Sequence, residues 1–126
     1  MQTIYIETPN APLPGGHYAQ ATRWRDLVFV SGQLPIRPDG TKEQGDIEAQ
    51  TLQVLHNLKA ILEAAGSSPG QVLKVTVYIA DVALWGQVNA VYAAFFGAHR
   101  PARAIVPVPA LHYGFLIEID AIAGIE

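Results

Sequence analysis

Apolar residues recur along this chain with two different periods. From residue 46 onward Ile47, Thr51, Val54, Leu55, Leu58, Ile61, Leu62 and Ala65 fall three and four apart, the spacing of one helix face. Asp46 precedes the run as a candidate N-cap and Gly66 follows it as a left-handed stop, so a helix is predicted between them. A second stripe, Val88, Val91, Tyr92, Phe95 and Phe96, predicts a helix opened near Asp81 and closed around Gly97, with Pro101 beyond. Between the two helices Val75, Val77 and Ile79 alternate with Thr76 and Tyr78, as in a strand half-buried under a helix layer.

The period is also two at both ends of the chain. Residues 2–7 read as a short strand with Ile4 and Ile6 on one face, ended by Thr8-Pro9. The stretch containing Pro9, Pro12, Pro14, Gly15 and Gly16 is too rich in breakers for regular structure, and a fixed loop of that kind is a good carrier of function. Residues 18–24 and the apolar run 27–30 form a predicted hairpin leading into a turn at Ser31-Gly32-Gln33, and Pro38-Asp39-Gly40 is a second turn. Two further strands are predicted at 103–108 and 115–123, joined by a loop holding Pro109, His112, Tyr113 and Gly114. In the last strand Phe115, Ile117, Ile119 and Ala121 share one face, and Leu116, Glu118, Asp120 and Ile122 share the other. Pro107 and Pro109 predict an edge or a bulge. This order implies an α+β fold, a mixed sheet with two helices packed on one face, within one domain spanning 1–126. The opposite sheet face then needs a cover.

Composition makes that need sharper. Half of the 126 residues are hydrophobic and 15% are charged, so the surface is short of charge and contact with further copies of the chain is predicted. Eight basic residues against eleven acidic ones give a net charge of −3, without the basic footprint of a nucleic-acid binder. The absence of cysteine excludes disulfides, thiolate zinc sites and cysteine nucleophiles. The first five residues, Met1 to Tyr5, lack the basic and apolar regions of a signal peptide, and no apolar run has membrane-spanning length; a cytoplasmic location is the expectation.

Several residues could carry chemistry. Arg103, in Pro101-Ala102-Arg103-Ala104, stands at the start of an apolar strand, and its planar fork matches a carboxylate bidentately. It is either a clamp for a small carboxylate or a strand-end arginine paired with backbone or an acid. Glu118 is a candidate partner for it, or else a water-orienting base. The four histidines, His17, His56, His99 and His112, form no close pair, so no metal is expected; His56 and His99 read as solvated, while His17 and His112 border a possible site. Ser31-Gly32-Gln33 lacks the flanks of a nucleophile elbow, and Gly15-Gly16 lacks those of a phosphate loop. Trp85, Tyr92, Phe95 and Phe96 read as core.

Separated motifs, in order, resemble the RidA (YjgF) family. They are Ala11-Pro12 with Gly16-His17-Tyr18-Ala19-Gln20-Ala21, Val30-Ser31-Gly32-Gln33-Leu34-Pro35, Gln50-Thr51-Leu52-Gln53 with Asn57-Leu58, and Ala64-Ala65-Gly66. Val88-Asn89-Ala90-Val91-Tyr92 with Phe95-Phe96, Pro101-Ala102-Arg103-Ala104 and residues 117–123 complete the series. The resemblance implies a chorismate-mutase-like fold, a homotrimer with sites in the clefts between subunits, and a cofactor-independent deaminase that turns 2-enamino or 2-imino acids such as 2-aminoacrylate into 2-oxo acids and ammonia. It implies that Arg103 holds the substrate carboxylate and that Tyr18, Ser31 and Gly32 line the pocket with Asn89 nearby. It further implies that Glu118, with the backbone carbonyl of Ile105, orients the attacking water. Ala104 and Ile105 depart from the serine and cysteine common in the family, and His17 from its proline. The alternative is a trimer of the same fold that binds small metabolites or partner proteins in a regulatory or chaperone-like role without turnover.

Overall fold

The computed structural model describes residues 2–126. In chain order its elements are β1 (Ile4–Ile6), β2 (Ala21–Trp24), β3 (Leu27–Gln33), α1 (Ile47–Ala64), β4 (Val72–Ile79), α2 (Trp85–Phe96), β5 (Ala102–Pro107) and β6 (Ile117–Gly124). The six strands form one sheet in the order β1-β2-β3-β6-β4-β5, antiparallel throughout except for the parallel pair β4 and β5. A parallel pair requires a crossover, and α2 supplies it. The α+β architecture read from the two periods is therefore the one adopted. No helix among the described residues is long and apolar enough to cross a membrane.

Local signals explain the helix ends. The Asp46 carboxylate accepts from the Ala49 backbone N–H at 2.9 Å, satisfying one of the donors left free at the start of α1. Gly66, at φ 85°, takes the left-handed conformation that ends the same helix. Asp81 caps a 3-10 turn, Val82–Leu84, which leads directly into α2, and Gly97 closes α2 at φ 63°. The core lies between the helices and one sheet face. Val54, Leu55, Leu58, Ile61 and Leu62 of α1 are fully covered, against Val75, Val77, Ile117 and Ile119 of the central strands. Each such side chain contributes about 1.5–3 kcal/mol relative to exposure.

The other face has no helix. Phe29 is 42% exposed, and Trp24, Leu27, Leu73 and Val106 are exposed as well, an apolar surface of the kind that charge-poor composition predicts. Strand β5 forms one edge of the sheet and ends on Pro107, where the missing N–H costs least.

Some expectations need correction. Ser31-Gly32-Gln33 is not a turn but the continuation of β3, with a register irregularity between Val30 and Gln33 against β6. Residues 18–20 precede β2 instead of belonging to it, and Phe115 lies just before β6. His99 is not a freely solvated residue: its Nε2 lies 2.7 Å from the Val72 carbonyl. Trp85 is exposed and Phe95 half-buried, while Tyr92 and Phe96 are in the core.

Buried amides on α1 tie the loops to this frame. Asn57 Nδ2 donates to the carbonyls of Leu34 and Ile36 at 3.2 and 2.9 Å. Gln50 donates to Gly45 O and accepts from Leu116 N, fixing the segment that leads into β6. Removing a buried partner of this type leaves carbonyls without a donor. Asn57→Ala is expected to lower the free energy of unfolding by about 2 kcal/mol at an unchanged urea m-value, measured by equilibrium denaturation; an effect under about 0.5 kcal/mol would mean that the carbonyls find water instead.

Candidate functional site

Glu118 lies on the uncovered face of β6, between the buried Ile117 and Ile119. Its carboxyl group crosses toward β3 and rests against Gly32. A Cβ at that position would overlap Glu118 Oε2 and stand 3.1 Å from its Cδ. Glycine is required here by close approach, not by an unusual backbone angle. Partial burial, and secondarily the neighbouring Asp120, push the Glu118 carboxyl above the usual range, while His112 opposes the shift. Asp120 itself accepts from the Tyr78 hydroxyl at 3.2 Å.

Beside Gly32 opens a cavity of about 300 Å³. One wall is the proline- and glycine-rich segment, which is held by the buried side chain of Gln20. Its Oε1 accepts from Thr8 N at 2.7 Å, and its Nε2 is shared among the carbonyls of Thr8, Ala11 and Pro12 at 3.0–3.4 Å. Tyr18 lines the cavity, its hydroxyl accepting from Gly15 N at 3.2 Å. The Ser31 hydroxyl donates to Ala19 O at 2.6 Å, tying β3 to the segment that carries Tyr18.

His112 and Tyr113 also line the cavity. Tyr113 has φ 59° and ψ 15°, a left-handed conformation that costs a non-glycine residue about 1 kcal/mol. Its ring is nevertheless fixed. The Lys42 ammonium sits 4.6 Å from the ring centroid, and the His112 ring meets it edge-on at 4.0 Å. His17 is exposed on the far side of Tyr18, in an adjoining depression.

Arg103 belongs to a second cluster, on the helix-covered face. Its Nη1 donates to Asn89 Oδ1 at 2.9 Å, and its guanidinium carbon lies 4.7 Å from the Tyr92 ring centroid and 5.6 Å from that of Trp85. Among the described residues no acid lies within ion-pair distance of it; the ion pair present joins Arg37 and Glu43 at 2.8 Å. Arg103 is half-exposed at the sheet edge, so most of its donors remain available to an anion. Ile105, two residues on, faces the same way and packs against the core.

Within one chain these clusters do not meet. Arg103 pairs in register with Val75, whereas Glu118 pairs with Tyr78, and β4 lies between their strands. From strand spacing and rise their backbones are about 14 Å apart, and their side chains leave opposite faces of the sheet. Tyr18, Gly32 and Glu118 are brought together, with Ser31 behind them; Arg103, Asn89 and Ile105 are brought together elsewhere. The Arg103–Glu118 ion pair left open by the sequence is not formed. Sequence reasoning assigned no role to Gln20 or Lys42, and their polarity within an irregular stretch gave no periodic signal.

With this geometry in view, the likeness to known proteins is specific. A family profile described as Endoribonuclease L-PSP matches residues 8–125. A RutC family protein of Pyrococcus horikoshii is 51% identical over 119 residues, covering 94% of each chain. The 2-iminobutanoate/2-iminopropanoate deaminase of Escherichia coli is 42% identical over 121 residues, again 94% of each. The crystal structure of E. coli TdcF with bound serine matches at TM-score 0.93 and 38% identity, covering 98% of this chain and 99% of that one.

The raised Glu118 carboxyl has a consequence for stability. A carboxyl whose folded pKa exceeds its unfolded value binds more protons when folded, so its unfavourable effect is absent below the unfolded value and grows as pH rises through the folded one. Glu118→Gln is therefore expected to unfold at higher temperature than the wild type at pH 7, with the difference vanishing toward pH 3. A variant less stable at pH 7 would show that the carboxylate is held by favourable contacts.

Proposed function

The chain belongs to the YjgF/RidA family, whose profile bears the description Endoribonuclease L-PSP, and on that premise we propose that it is a cofactor-independent deaminase of 2-enamino and 2-imino acids. The observation that carries this reading is the guanidinium of Arg103, oriented on one side by Asn89 and Tyr92 and facing no protein acid. Such a group is a ready clamp for a carboxylate. The likeness to a protein named as a 2-iminobutanoate/2-iminopropanoate deaminase supports the same ligand class.

The site is completed between subunits. The uncovered apolar face and the edge strand β5 are surfaces for a second copy, and a closed ring of three brings Arg103 of one chain toward Tyr18, Gly32 and Glu118 of the next. An enamine first gains a proton on carbon and loses one from nitrogen, giving the imine. Water then adds to the imine carbon, its oxygen forming the new C–O bond while a proton passes to nitrogen. Collapse of the carbinolamine expels ammonia and leaves the 2-oxo acid. Glu118 orients the water and relays the proton, helped by the Ile105 carbonyl, and its raised pKa suits a group that must both take and return a proton. No step needs a metal or organic cofactor, since the imine is already electrophilic.

Small carboxylates fit this chain better than nucleic acid, because eight basic residues are outnumbered by eleven acidic ones. The family description nonetheless supplies a second reading, RNA cleavage; release of oligonucleotides from a structured RNA by the purified wild type, lost in Glu118→Ala, would favour it.

Arg103→Ala is expected to lower 2-oxo acid formation from 2-aminoacrylate, generated in situ from serine, by about 100-fold or more, with Arg103→Lys intermediate. Equal rates for wild type and Arg103→Ala would remove the basis of the assignment.

A further inference from the structure

We infer that Tyr113, with His112, is a specificity-determining wall, and that the cavity it bounds receives a bulky apolar or aromatic substrate side chain rather than a methyl or a charged tail. The inference rests on the deaminase reading for the carboxylate end of the ligand, and on the cavity alone for the other end.

The Tyr113 ring meets the buried Phe115 edge-on at 5.9 Å but is not itself buried in the core. Tyr113 is 54% exposed, yet its backbone occupies a conformation that tyrosine rarely adopts, and its ring is clamped by Lys42 and His112. Strain of this kind persists only where the surroundings impose it, and an ordered, half-exposed ring at a cavity mouth is placed for a ligand. Tyr18, itself half-exposed and held by Gly15 N, lines the same cavity. The rest of the lining is mainly apolar, with Pro12, Leu13, Leu34 and Ile36 beside Gln20 and Gln33.

Size and charge then select the occupant. In a single chain the cavity is about 300 Å³, more than a methyl group fills, so a small imino acid would leave part of it wet. An apolar or aromatic chain would displace that water and pack against the tyrosine rings that line the cavity. Lys42 is engaged by the Tyr113 ring, 4.6 Å from its centroid, and the residues lining the cavity include no lysine or arginine to hold a second carboxylate. Glu118 borders the cavity on the Gly32 side and would repel an anionic tail.

The test uses product-like 2-oxo acids, whose binding does not depend on turnover. Calorimetric titration of the wild type with phenylpyruvate, pyruvate and 2-oxoglutarate is expected to give at least about tenfold tighter binding of phenylpyruvate than of either other acid. Tyr113→Gly, which removes the ring and suits the positive φ, is expected to weaken phenylpyruvate about tenfold while leaving pyruvate within about twofold. Equal affinities in the wild type, preference for 2-oxoglutarate, no binding of phenylpyruvate, or parallel losses for both acids in Tyr113→Gly would each overturn the inference. Turnover of imines generated from phenylalanine and alanine by an amino-acid oxidase separates the two levels. Selective binding without turnover of either imine sinks the deaminase reading and leaves this one standing; equal kcat/KM for both imines overturns this one alone.

Discussion

A pleated sheet sends successive side chains to opposite faces, and in this protein that alternation governs both stability and the placement of functional groups. Two helices cover one face and leave the other, with Phe29, Leu27 and Val106, without a cover of its own. The same pleat puts Arg103 under α2 and Glu118 on the bare face, two strands away. No rotamer change within one chain reconciles them. The need to cover an apolar face and the need to complete a site are thus met by the same event, association of copies, in the assembly proposed above.

The segments around Tyr18, Gly32 and Glu118 are held by buried amides. Gln20 holds the proline-rich loop by its carbonyls, and Asn57 and Gln50 hold the segments flanking the cavity from the side of α1. Each is a polar group buried with its partners, the arrangement in which a hydrogen bond fixes geometry at little net cost. Gly32 contributes by absence, because only a residue without a side chain lets the Glu118 carboxyl lie against β3. Partial burial of that carboxyl, with Asp120 beside it, then raises its affinity for a proton.

Periodicity made the regular elements legible in the sequence. The α1 stripe with Asp46 and Gly66 at its ends, the alternation from Val75 to Ile79, and that from Ile117 to Ala123 all emerge as read, since each is set by the face it buries. Ser31-Gly32-Gln33 misled because a glycine flanked by polar residues has the signature of a turn, whereas its cause is a contact with a residue 86 positions later. Trp85 misled for a related reason: helical spacing marks a stripe but does not say where the stripe leaves the core, and this ring ends beside a guanidinium. The motif resemblance named Arg103, Glu118, Tyr18 and Gly32. That they divide between two faces follows only from register, which no local pattern encodes.

In the proposed assembly the Arg103 and Glu118 of one working site come from different chains. Mixing inactive Arg103→Ala and Glu118→Ala proteins, with subunit exchange by unfolding and refolding together, tests it by the imine hydrolysis rate. Random exchange at equal amounts leaves about one site in four with both native groups, so recovery to about a quarter of the wild-type rate is expected. No recovery above the separate variants, once exchange is verified by mass spectrometry, would contradict the claim.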